Sequence, residues 1–355
     1  MGANLTTGKG TVTTGDGNDT ITGGAGADSI SSGNGNDSVA ASTGNDSVDG
    51  GTGNDIINSG AGTNFSFGGT GDDSFLATTG VDAIVGGDGD DTVTISGANL
   101  TSGDTIVGGI GNDSLSITTA VVAAVSSLDN VSGIESISIA ALGAQAITAV
   151  DSLIDSGATL TVSVAAPTGI FQWNGSGETN GNLNLTVAAA NFAHIIQGGA
   201  GADTISMGAS TTGVSVTGGS GNDTISVTGA AAHTVVGGLG ADTINMGTST
   251  AGVIKLTAVT DSTTTSYDSV SGYTSASEVV NLNSISGLTS GSFGNWIMMF
   301  IAPIGDDVPD HAYRLPSRLM HASVAGYADD GHDAFRPTGK ALVPDSTLLL
   351  LLPRR

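Results

Sequence analysis

The chain has 355 residues, of which 57 are Gly and only 4% are aromatic, too few large side chains for one round core. Its formal net charge of −25, with only 8 Lys and Arg, sets the surface against nucleic acid and anionic membrane and favours cations. There is no Cys, so disulfides are excluded, any staple must be non-covalent, and metal ions are the obvious candidate. No apolar run is long enough to span a bilayer, and the N-terminus shows no signal peptide.

From Thr14 to Thr94 the sequence divides without a gap into nine nonapeptides, from TGDGNDTIT to GGDGDDTVT, preceded from Leu5 by a weaker copy, LTTGKGTVT. The first half of each is a Gly-rich loop that can turn tightly and aim carbonyl oxygens inward. Its sixth residue, usually Asp, adds a carboxylate, and hard oxygen ligands suit calcium over a soft metal. The second half places one apolar residue between polar neighbours, as a short half-buried strand requires. Ile21, Ile30, Val39, Val48, Ile57, Phe75, Ile84 and Val93 fill that slot, and Ser66 breaks the series, so Phe65 or Phe67 is expected to cover the gap. One buried Ile or Val contributes about 1.5–3 kcal/mol, whereas ordering nine residues costs on the order of 9–18 kcal/mol of backbone entropy. A cation between loops would remove the repulsion among carboxylates and bind only the folded state.

The GGxGxDxUx pattern resembles the repeats-in-toxin, or hemolysin-type calcium-binding repeat, family, with an S-layer-like or adhesin-like member as the expected type. The resemblance implies an all-β fold, a right-handed parallel β-roll or β-helix solenoid in which two nonapeptides make one coil. Loops 18 residues apart then stack on one edge with calcium between them. On that rule the first edge carries Gly15, Gly17 and Asp19; Gly33, Gly35 and Asp37; Gly51, Gly53 and Asp55; Gly69, Gly71 and Asp73; Gly87, Gly89 and Asp91; and Gly109, Gly111 and Asp113. These are expected to form a column of five calcium sites between six loops. The second edge carries GAGAD, STGND, GAGTN and TTGVD, where Asn64 replaces the carboxylate and Ser42 and Thr78 replace the second Gly, and it is expected to be partial or empty. The insertion Ile95–Val107 belongs to it. A second block repeats the asymmetry: Gly199, Gly201 and Asp203; Gly219, Gly221 and Asp223; and Gly238, Gly240 and Asp242 are expected ligands opposite a plain edge. His194 and His233 sit where that plain edge would carry Asp, and they read as polar loop residues, not as transition-metal ligands.

The domains read as 5–116, the calcium-binding roll; 117–197, a β-rich solenoid or spacer without metal; 198–252, the second repeat block; 253–293, a β-rich continuation; and 294–355, an atypical tail. Within the spacer, ESISIA, TLTVSVAA and NLNLTVAA alternate as strands do, and Val121, Val122, Val125 and Leu128 fit one face of a short helix. Phe171 and Trp173 are expected to cover a solenoid flank, with a carbohydrate platform as the alternative. The tail holds six of the seven Pro, six of the eight Lys and Arg, and three of the five His, and reads equally as an export signal or a shifted reading frame. His311, His321 and His332 fit no zinc spacing.

The sequence shows neither an HExxH helix nor a GxSxG elbow, and no enzyme activity is expected. The expected function is a secreted calcium-binding repeat protein of structural or cell-surface type, folding outside the cell. The alternative is the export and folding module of an exoenzyme or toxin. Expected partners are calcium, cell-surface polysaccharide and copies of the chain itself. Export is expected in one step, without a cleaved N-terminal signal. An ice-binding solenoid would want a uniform loop row, and Asp16, Asn34, Thr52, Thr70, Asp88 and Ile110 do not supply one.

Overall fold

The computed structural model describes residues 2–4, 8–118, 128–140, 143–165, 167–188, 191–247, 252–255, 268–271, 279–281, 298–303 and 346–351. The chain divides into two compact units, 1–187 and 188–355.

In the first unit the second half of each nonapeptide is a strand with its middle residue inward and its flanks outward, as in Thr20–Thr22. Successive strands on one face pair in parallel at an offset of 18 residues: Ile21 beside Val39, Val39 beside Ile57, Ile57 beside Phe75 and Phe75 beside Val93. The other face pairs Val12 with Ile30, Ile30 with Val48, Val48 with Ser66 and Ser66 with Ile84 in the same register. Two nonapeptides therefore complete one coil of an all-β parallel solenoid. The inward rows form its core, with Ile21, Ile30, Val39, Val48, Ile57, Phe75, Ile84 and Val93 all buried. The insertion after Ile95 lengthens the next offset to 22 residues without breaking the pairing, since Val93 meets Leu115 and Ile84 meets Ile106.

The solenoid outlasts the nonapeptide. Leu115 pairs with Ile137, Ile137 with Val162, and Val162 with Leu185 along one face, while Gln145–Val150 pairs in parallel with Phe171–Gly177. In the second unit Ile205, Ile225, Ile244 and Val270 form one inward row, and Ile196, Val216, Val235 and Ile254 another. Ser346–Leu351 runs antiparallel to both Met298–Pro303 and Ser269–Ser271. The other tail residues, His311, His321 and His332 among them, lie outside the described residues, as do Val121, Val122 and Val125 of the expected helix.

Two expectations about side chains are corrected. Ser66 itself occupies the inward slot, buried with its hydroxyl unpartnered, while Phe65 is exposed and Phe67 is only half-buried. Register is the reason: alternation puts positions 65 and 67 on the outer side, and only a slip of the whole strand could turn them in. An unsatisfied buried hydroxyl costs about 1–3 kcal/mol, which the coil tolerates to keep its register. Phe171 and Trp173 neither cover a flank nor form a platform; each is 1% exposed and points into the core, with Trp173 beside Ile147. Among the described residues no helix is long and apolar enough to cross a membrane.

Candidate metal centre

The first edge is a column of buried carboxylates. Each Asp turns one oxygen back to the preceding coil, where it accepts the backbone N–H of the equivalent Asp. Asp19 N–H donates to Asp37 Oδ1 (2.7 Å), Asp37 to Asp55 (2.7 Å), Asp55 to Asp73 (2.8 Å), Asp73 to Asp91 (2.7 Å) and Asp91 to Asp113 (2.7 Å). The fifth loop residue forms a second, exposed ladder in the opposite sense, with Asn36 N–H donating to Asn18 Oδ1, Asn54 to Asn36, Asp72 to Asn54 and Asp90 to Asp72. The two ladders fix the loops in stack.

The other carboxylate oxygen has no such use. Oδ2 of Asp37, Asp55, Asp73, Asp91 and Asp113 is buried without a hydrogen-bond partner. The first Gly of each doublet shows what surrounds it. A Cβ added to Gly68 would fall on Asp73 Oδ2 and the carbonyl oxygen of Gly86 in the next coil. Gly50 and Gly86 are built the same way, with Asp55 Oδ2 and the Gly68 carbonyl, and with Asp91 Oδ2 and the Gly108 carbonyl. Two acceptors thus converge where no donor is present. At the head of the column a hydroxyl replaces that Gly, and Ser32 donates to the Gly50 carbonyl (2.8 Å).

Such an arrangement holds negative charge at a cost. Burial pushes Asp55 and Asp91 up to about 6 and Asp73 up to about 7, against the opposing hydrogen bond from the preceding Asp N–H, with neighbouring carboxylates adding to the rise. The hard anionic and carbonyl oxygens, their close convergence at a glycine without Cβ and the missing donor fit a calcium ion, which would neutralise the carboxylates and bridge consecutive coils.

The remaining residues expected at the sites take up the loop's backbone. Gly17, Gly33, Gly35, Gly51, Gly53, Gly69, Gly71, Gly87, Gly89, Gly109 and Gly111, and in the second unit Gly201, Gly219, Gly221, Gly238 and Gly240, have positive φ. Gly15 and Gly199, each in the opening loop of its series, do not. At Gly69 (φ 117°) a side chain would be strained and would also meet the Gly51 carbonyl. In the second unit Asp203 N–H donates to Asp223 Oδ1 (2.9 Å) and Asp223 N–H to Asp242 Oδ1 (2.9 Å). Asp223 Oδ2 is buried and unpartnered, burial pushes this carboxyl up to about 7, and a Cβ on Gly218 would meet that oxygen and the Gly237 carbonyl.

The second edge of the first unit solves the same problem with donors of its own. Asp28 Oδ2 accepts from Gly24 N–H (3.0 Å), and Asp104, supplied by the insertion, accepts from Thr101 N–H (2.6 Å) and its hydroxyl (3.1 Å). Asn64 accepts the Asp46 N–H (3.0 Å) while its amide donates to Asp82 Oδ1 (2.9 Å) and the Gly60 carbonyl (3.2 Å). Asp46 Oδ2 stands apart, buried and unpartnered like those of the first edge. Ser42 keeps the left-handed conformation of the Gly it replaces (φ 83°), at a cost of roughly 1–2 kcal/mol.

His194 and His233 lie in loops just before strands and are buried. His233 stands in the Asp position: its Nδ1 accepts the Val214 N–H (3.4 Å), so Nε2 carries the proton and faces the Gly229 carbonyl (3.4 Å). Burial holds its pKa down, keeping the ring neutral. Sequence reasoning missed the first Gly of each doublet, whose lack of Cβ lets the acceptors approach, and it missed Asp104. The doublet itself was the available signal.

Family-model comparison matches residues 6–39, 31–66, 67–94, 101–116 and 195–209 to the RTX calcium-binding nonapeptide repeat. These segments are similar to RTX repeats. Such repeats bind several calcium ions across successive copies. The loops ending at Asp223 and Asp242 lie outside the matched residues but share the carboxylate ladder of those inside. No curated protein matches the chain.

Proposed function

We propose that this is an extracellular protein of structural or cell-surface type whose solenoid is ordered by calcium held along the first edge. RTX repeat proteins are typically secreted, into surroundings where millimolar calcium is available. The observation that carries the reading is the run of buried Asp oxygens, each facing the next coil's carbonyl with no donor between them. Asp55, Asp73, Asp91 and Asp223 are the central ligands, with Asp19, Asp37, Asp113, Asp203 and Asp242 in the same columns. Calcium supplies charge neutralisation and cross-links consecutive coils. The chain's residues supply the register, the Cβ-free glycines and the carboxylates. The outward rows beside the column bear hydroxyls at Thr92, Thr94, Ser114, Ser116, Ser136 and Ser138. That uncharged, hydroxyl-bearing face suits contact with polysaccharide or with further copies, as a surface layer requires.

The test is circular dichroism and sedimentation in chelator, in millimolar calcium and in millimolar magnesium. Calcium alone should convert a largely disordered chain into a β-rich one, because magnesium demands short octahedral contacts and keeps its water. Equal spectra in chelator and calcium would sink the reading.

A further inference from the structure

The recognisable repeats of the first unit stop at residue 116, yet the column does not. The next coil crosses the edge as VSGIE, residues 131–135, with no GGxGxD signature. Glu135 nevertheless lies 22 residues after Asp113, the spacing that separates Asp113 from Asp91, and its Oε2 accepts the Asp113 N–H at 2.7 Å. That is the bond each Asp of the column makes to the coil before it.

The convergence of acceptors above Glu135 is also of the same kind. A Cβ on Gly108 would fall on Asp113 Oδ2 and on the Gly133 carbonyl oxygen, as one on Gly86 would fall on Asp91 Oδ2 and the Gly108 carbonyl. Asp113 is 1% exposed, and its Oδ2 has no partner. The coil is pinned on both sides of the edge, with Ile106 beside Val131 and Ser114 beside Ser136. It therefore crosses the edge in fewer residues than the loop above it, between Val131 and Ser136 where the other runs from Ile106 to Ser114. A backbone that cuts the corner needs a longer arm to reach the same point, and Glu has one methylene more than Asp.

We infer that the calcium column extends one coil beyond the repeats, to a terminal divalent-cation site formed by Asp113, the Gly133 carbonyl and Glu135. The inference rests on the calcium reading proposed above and adds a site that the repeat pattern does not contain. The second unit ends in a similar way: Asp242 N–H donates to Asp268 Oδ1 (3.0 Å), across 26 residues and beyond the last GGxGxD loop.

The test counts calcium bound per full-length chain by equilibrium dialysis and elemental analysis, for the parent, Glu135→Gln and Asp73→Asn. Gln keeps an oxygen for the Asp113 N–H and loses only the charge. A group serving merely as a cap would therefore leave the count unchanged. The expected result is one ion fewer in Glu135→Gln, with an unchanged circular dichroism spectrum at saturating calcium. A full count in Glu135→Gln beside a reduced count in Asp73→Asn overturns the terminal site and leaves the column standing. No bound calcium in the parent removes the underlying reading and this site with it. Should Glu135→Gln fail to fold at saturating calcium, Asp113→Asn decides, because it keeps an oxygen for the Asp91 N–H and removes the charge from the same site: one ion fewer in a folded chain supports the terminal site, and a full count overturns it.

Discussion

Replacing Asp73 by Asn should have effects of opposite sign with and without calcium. The variant keeps Oδ1 for the Asp55 N–H, and its new amide nitrogen takes the place of Oδ2, facing the Gly86 carbonyl. Without calcium it removes a buried charge and adds one donor where two acceptors met, a gain of about 0.5–1.5 kcal/mol from the hydrogen bond. With calcium at a hundredfold excess over its dissociation constant, a site contributes about 2.7 kcal/mol, and that contribution is lost. The net result in calcium is roughly 1–2 kcal/mol of lost stability if one ion goes, and more if both neighbouring sites fail. For a denaturant slope of about 2 kcal/mol/M this lowers the urea midpoint by on the order of 0.5–1 M. The assay is urea unfolding by circular dichroism in saturating calcium, with residual β signal in chelator as the second reading. The variant should lose stability in calcium and match or exceed the parent's β signal in chelator. A loss under both conditions would refute the reasoning, because it would show Asp73 acting through structure alone and not through an ion.

Calcium and protons should compete for the column. Asp55 and Asp91 are held up at about 6, and Asp73 and Asp223 at about 7, against an ordinary carboxyl near 4. The folded metal-free chain therefore binds more protons than the unfolded one between those limits, so its stability is greatest below about pH 4 and falls as pH rises through 6 to 7. Calcium binding at pH 6.5 should release protons, and affinity should climb from pH 5 to 8. Calorimetry in buffers of differing ionisation heat checks this, and identical heats in all buffers would count against it. Asn64→Asp should do the reverse of Asp73→Asn. It removes the donor to Gly60 and Asp82, costs about 1–3 kcal/mol in chelator, and gains a bound ion in calcium, as read by equilibrium dialysis.

The coil and its register were legible because a period of nine residues and an apolar eighth position survive in the letters from Thr14 to Thr94. The division into two edges was legible for the same reason. Ser66 misled because composition suggests that a nearby Phe must fill a gap, while a strand's alternation allows only residues two apart to do so. Glu135 and Asp268 were hidden by the loss of the Gly pattern around them, although pairing of the flanking strands still brings each under the column. Phe171 and Trp173 read as surface aromatics because a chain this poor in large side chains gives little reason to expect a wide core, yet both are buried beyond the repeats.

The edges share one electrostatic requirement and meet it by different means. Every stacked loop must offer an acceptor to the N–H above it, and a carboxylate used for that leaves a second oxygen that needs a donor of its own, as Asp28, Asp104 and Asp203 find in a loop N–H, or a cation. Ser32 answers with a hydroxyl donor, Asn64 with an amide, and His233 with the protonated nitrogen of a neutral ring, the last two aimed at the carbonyl four residues earlier. Each of these side chains is a donor, and Asn64 and His233 also accept the N–H above them, while Oδ2 of Asp37 and of Asp46 stays unpartnered. The junctions under Gly50, Gly68 and Gly86 have only acceptors. Calcium dependence is therefore a local property of each junction, and the neutral junctions are those expected to hold when calcium is scarce.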